Sequence, residues 1–161
     1  MTELLPPNAA DIERVVLCEM LIEPEACATA ISLLNEDCFY RQNYSIIFSA
    51  IKKLYRRDGA VDIYLLVNFI SDAGKLNAVG GEASILGIYN ETASAANIHQ
   101  HCRILTEKWK LRSLVNLATL IETRCNESGQ NSRLIIAEIE NNLSAILKNE
   151  VVKQKEEIES W

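Results

Sequence analysis

The chain has 161 residues, 48% of them hydrophobic and 24% charged, with a formal net charge of −6. That is enough chain to bury a core without disulfide or metal staples, and the hydrophobic share excludes a disordered polymer. The acidic balance argues against a free-standing nucleic-acid binder, and no apolar run approaches the roughly 20 residues that span a bilayer.

The segments read almost entirely as helix. Pro6-Pro7 introduces a first helix over 8–22, with Ile12, Val15, Val16 and Met20 on one face. Pro24 sits in the first turn of a second helix, with Cys27, Ala30, Ile31 and Leu34 inward, and Asn35-Glu36-Asp37 breaks it. Phe39-Tyr40 is expected to pack from a loop. A third helix over 44–56 turns Ile47, Ile51 and Leu54 inward and stops at Gly59, a left-handed cap. Asp62 is the N-cap of a fourth, with Leu66, Phe69 and Ile70 inward and Gly74 at its end. Residues 82–89 make a short fifth.

Ser94 then opens a much longer run. No Gly or Pro occurs from Ala95 to Ser128, which is about 50 Å of chain if helical throughout. Ile104, Leu111, Leu114, Ala118, Ile121 and Cys125 follow heptad spacing along it. A turn over 126–131 contains Gly129, after which Ile136, Ile139, Leu143 and Ile146 repeat the pattern. Two heptad helices joined by a short loop make an antiparallel hairpin. Leu111, Leu114, Ala118, Ile121, Ile136, Ile139, Leu143 and Ile146 are therefore the expected self-association and partner interface. Val115, Leu117, Leu120, Ile135 and Leu147 are left as apolar flanks in need of cover. The expected fold is all-α: a compact multi-helix head over 1–103, a long hairpin over 104–150, and a charged linker or frayed helix end over 151–161.

Nothing in the chain reads as a catalytic or metal site. There is no G-x-x-x-x-G-K-[ST] phosphate loop; Lys75 follows Gly74 but lacks the second glycine and the hydroxyl that would hold magnesium. His99 and His101 are the two histidines and point about 200° apart on a helix, so they cannot share a metal. Asp11/Glu13 and Glu36/Asp37 read as charges that complement helix termini. Lys52, Lys53, Arg56 and Arg57 read as a cationic helix end, and Arg103, Lys108, Lys110 and Arg112 as a solvated face. Met1-Thr2-Glu3 has no basic leader. The five cysteines, Cys18, Cys27, Cys38, Cys102 and Cys125, contain no C-x-x-C pair and read as free thiols of a reducing, cytoplasmic setting.

The order of short words along the chain carries more than any one of them. Pro6-Pro7, Asp11-Ile12-Glu13 and Val16-Leu17-Cys18-Glu19-Met20-Leu21 come first. Phe39-Tyr40-Arg41 with Ile47-Phe48 and Ala50-Ile51, then Val61-Asp62-Ile63, follow. Gly74-Lys75-Leu76 with Val79-Gly80-Gly81, and Ser94-Ala95-Ala96-Asn97-Ile98, are the most specific. Together, over about residues 6–150, they resemble the N-terminal domain of DnaB-type replicative helicases. Cys18 stands where that family usually has glycine, Tyr44 where it usually has histidine, and Asn8-Ala9 blurs its opening.

The resemblance implies a domain without an active site. Hairpins pair between neighbours, as a dimer for this domain and a hexamer for the parent, in a collar that recruits primase and, in some bacteria, a helicase loader. It implies no cofactor for these residues, since ATP and magnesium belong to a C-terminal motor that nothing here resembles; the acidic balance and the lack of a long apolar run give the further expectation of no strong direct DNA binding and no membrane binding. The helicase-binding domain of primase, with a similar head and hairpin, and a stand-alone helical regulator that binds the helicase or DNA are the alternatives.

Overall fold

In the computed structural model of the chain, the backbone is described for residues 4–91 and 94–159 and the side chains for 4–91 and 94–148. Seven α-helices occur among the described residues, with no strand. They are α1 Ala10–Ile22, α2 Pro24–Leu33, α3 Gln42–Asp58, α4 Ile63–Asp72, α5 Gly81–Tyr89, α6 Ile98–Asn126 and α7 Ser132–Glu159. No described helix is long and apolar enough to cross a membrane. The chain divides into two compact units: residues 8–109, and residues 110–161 together with 1–7.

The first unit is the head. Its helices start and stop where local chemistry dictates. Proline opens α2 where the missing N–H costs nothing. The Asp62 carboxylate accepts the backbone N–H groups of Tyr64 and Leu65 and starts α4. Gly59, at φ 75°, ends α3 in the left-handed region that a β-carbon disfavours. Ser94 caps a 3₁₀ turn over Ala95–Asn97, and α6 proper begins one residue later.

Val16, Leu17, Cys18, Cys27, Ala30, Phe48, Ile51, Leu66 and Ile85 are at or near complete burial. α1 packs on α2, α3 and α5 and is the centre of the unit. Phe39 lies on Phe48 with ring centroids 4.8 Å apart, so the loop aromatic is a core residue, while Tyr40 beside it is 39% exposed. α6 enters this core through Ile98, Cys102 and Leu105, and Trp109 packs on its edge, which carries the head to residue 109.

The head corrects one part of the sequence reading. Glu13 does more than complement a helix terminus. It is fully buried, and its carboxylate accepts the N–H of Tyr40 at 2.6 Å and of Arg41 at 3.2 Å. Arg41 is the N-cap of α3 and has no side-chain cap of its own, so α1 caps the entry to α3 from across the core. None of the five cysteines forms a disulfide; Cys18, Cys27, Cys38 and Cys102 are buried and Cys125 is exposed.

Candidate functional site

The second unit is built on the hairpin of α6 and α7. α6 ends at Asn126, Gly129 takes φ 74° in the turn, and the Asn131 side chain accepts the N–H of Arg133 as α7 begins. Arg124, two residues before the end of α6, reaches across to Glu138, 14 residues on, and also to Glu127 in the turn. Glu138 first and Glu127 second hold the Arg124 guanidinium more firmly protonated than usual. Arg112 donates to the carbonyl of Pro7 at 2.9 Å, which ties the start of the described chain into this unit.

Among the described residues, one apolar side chain per helix is deeply buried here: Leu117 at 7% and Ile135 at 8% exposure. This overturns the sequence reading of those two as flanks awaiting cover. The heptad positions behave oppositely. Leu111 is 38% exposed, Leu114 43%, Ile136 54% and Leu143 40%, and Ala118 is exposed too. Ile121, Ile139 and Ile146 are half-buried. The inward stripe is therefore rotated away from the heptad stripe. It is filled by Leu117 and Ile135 and by polar groups such as Arg124, Glu138 and Asn142, which hydropathy spacing does not detect.

The exposed heptad residues form one surface. With Leu117 taken as inward on α6, Leu114, Ala118 and Leu111 lie about 60°, 100° and 120° round the helix at 100° per residue. With Ile135 inward on α7, Leu143, Ile136 and Leu147 lie about 80°, 100° and 120° round in the same sense. The helices run antiparallel, so equal rotations in the same sense bring both stripes to the same side of the hairpin. Leu147, 76% exposed, belongs to that side, while Val115, 52% exposed, lies about 160° round on the back of α6; both stand among the apolar flanks of the sequence analysis. Cys125 lies on the apolar side near the turn. The hairpin thus presents a two-helix apolar face with no charged heptad position along its middle, the type of surface that marks an interface.

The remaining motifs fall elsewhere. His99 is exposed and His101 is paired with Glu19 in the head. Lys52 is paired with Glu36, Arg57 with Asp58, and Arg14 with Glu91. Among the described residues, no three His, Cys, Asp or Glu side chains gather into a metal-binding group. The expectation for 151–161 concerns side chains outside those described; the backbone of α7 is helical to Glu159.

Residues 5–107 match the family model described as DnaB-like helicase N terminal domain. The chain is 31% identical over 160 aligned positions to the replicative DNA helicase DnaB of Rhodothermus marinus, covering 93% of this chain and 17% of that protein. It is 32% identical over 121 positions to the replicative DNA helicase DnaC of Bacillus subtilis, covering 75% of this chain and 27% of that protein. The chain thus spans well under a third of the length of these two relatives. The crystal structure of the N-terminal domain of DnaB helicase from Mycobacterium tuberculosis superimposes with a TM-score of 0.80 at 25% identity, over 87% of this chain and 99% of that one.

Proposed function

The chain belongs to the DnaB-like helicase N-terminal domain family, and from that membership we propose that it acts as the collar domain of a replicative DNA helicase, an assembly and docking element without chemistry of its own. In this reading two copies pair through the apolar hairpin faces. Leu111, Leu114, Ala118 and Ile121 of one helix and Ile136, Ile139, Leu143 and Ile146 of the other supply the contact. The paired hairpins then form a composite surface on which the primase C-terminal domain docks, and a loader is a further partner of the same collar. ATP hydrolysis and DNA unwinding belong to the motor of the whole helicase, which assembles as a hexamer.

The observation that carries this reading is the single apolar face made by both hairpin helices. Large exposed side chains aligned on one side of a two-helix unit are costly in water and are relieved by a self-complementary contact about a two-fold axis. The test is light scattering over a concentration series, followed by calorimetry with the primase C-terminal domain. A mass that rises above the 18.1 kDa of one chain and saturable primase binding are expected. A chain that stays monomeric at high micromolar concentration overturns the pairing, and primase binding undiminished in a monomeric variant overturns the composite site.

A further inference from the structure

A second surface lies in the head, away from any role the hairpin face plays. Between α3 and α4 a cavity of about 260 Å³ opens to solvent. Ile46 and Ala50 of α3 and Phe69 of α4 supply apolar walls, Glu36 forms part of one side, and Lys53 and Lys75 stand on the lining with exposed side chains. The volume is below the roughly 300–1,000 Å³ of small-molecule sites, so it suits one anchoring side chain rather than a nucleotide or cofactor.

The charge at this cavity is one-sided. Glu36 is matched internally by Lys52, whose Nζ lies 2.6 Å from its carboxylate. Burial pushes the Glu36 carboxyl up, but the Lys52 bond, a backbone amide, and the charges of Lys52 and Arg56 outweigh it and hold it below the usual carboxylate range. Glu36 is therefore an anion already satisfied. Lys53 and Lys75 have no ion-pair partner among the described residues. Lys53 extends from the middle of α3 and Lys75 from the turn after α4, so the two cations come from different elements and flank the same opening.

We propose that this cavity docks an acidic peptide segment of a protein partner, one aliphatic side chain entering between α3 and α4 while carboxylates on either side pair with Lys53 and Lys75. An apolar anchor supplies the burial and the two ion pairs fix orientation, a division of labour common to peptide grooves. Nucleic acid fits less well. Two lysines at a cavity whose lining mixes Ile46, Ala50 and Phe69 with Gln42, Ser45 and Ser49 do not make the row of phosphate contacts that polyanion binding requires, and the chain as a whole is acidic.

The test uses the full chain and a fluorescein-labelled hexapeptide with a central leucine flanked by glutamates, read by fluorescence anisotropy at low salt. Saturable binding is expected, weakened at least ten-fold in the Lys53→Glu/Lys75→Glu double variant. A peptide with lysines in place of the glutamates should bind that variant better than it binds the unmodified chain. Both side chains are exposed, so the variant should melt like the parent. Leu114→Asp, on the hairpin face, should leave peptide affinity unchanged, which separates this proposal from the assembly reading. Absence of saturable binding, affinity indifferent to the charge reversal, or tighter binding of a single-stranded oligonucleotide through the same lysines overturns it.

Discussion

Glu19, fully buried in α1, grips His101 of α6: the imidazole Nδ1 lies 2.9 Å from one carboxylate oxygen and 3.0 Å from the other. The two residues are 82 positions apart in sequence and bind the first and last helices of the head to one another. His101→Ala leaves a buried carboxylate without its partner, and a loss of about 3 kcal/mol is expected. Replacing both, as Glu19→Leu with His101→Leu, should cost much less than the single change. Urea unfolding of the two variants checks this; equal losses would place the cost in packing rather than in the orphaned charge.

The buried Glu13 cap gives a second expectation. Glu13→Ala leaves the Tyr40 and Arg41 N–H groups without an acceptor inside the head and should destabilise it by about 2–3 kcal/mol. Glu13→Gln keeps one acceptor oxygen and should recover a good part of that loss. Thermal unfolding ranks the two, and a Gln variant no better than Ala would show that the charge, not the acceptor, is what α3 requires.

On the proposed pairing, the hairpin separates assembly from folding within a few residues. Leu114→Asp and Leu143→Asp alter the exposed face and should yield folded monomers. Leu117→Asp places a charge on the buried side and should lower the helix content itself. Circular dichroism beside light scattering distinguishes them. Loss of helix in all three would mean that the two faces are not independent.

Thiol chemistry follows burial. At pH 8 a folded sample should consume about one equivalent of thiol reagent, at Cys125, with the other four protected. Burial raises the Cys27 thiol to about 12 from an ordinary value of 9.0. The folded state thus holds this proton more tightly than the unfolded chain. The corresponding stability is complete below pH 9.0 and is lost as pH rises toward about 12. Cys27→Ala should flatten the alkaline fall in the urea midpoint; an unchanged slope would assign that fall to other groups.

With no phosphate loop in the sequence, ATP with magnesium is expected to leave the melting temperature of the chain unchanged. A saturable upward shift of several degrees would reveal a nucleotide site.

The helices of the head were legible because each carries its own punctuation: Pro24 in a first turn, Asp62 at a cap, Gly59 and Gly74 at ends. Their inward faces were legible because the inward residues are apolar. The hairpin was legible as a hairpin but not in its rotation. Its inner side uses Arg124, Glu138 and Asn142 beside Leu117 and Ile135, so the strongest apolar stripe marks the outside. Glu13 was misread for a related reason. A buried carboxylate that caps a helix 27 residues away has the same sequence signature as a surface acid in a first turn. The Lys53–Lys75 opening left no signal either, because it is made where two helices meet.

The shortage of buried apolar side chains between α6 and α7 has a thermodynamic corollary. Among the described residues of this two-helix unit, Leu117 and Ile135 are the deeply buried apolar side chains, so on the proposed pairing much of its order comes from the copy that covers its outer side. Its melting point should then be a function of protein concentration, rising by mass action as copies become available, whereas that of the head should not. A dilution series followed by hydrogen exchange would show residues 110–148 and the core of α1 responding on separate scales, one set by abundance and the other by sequence alone.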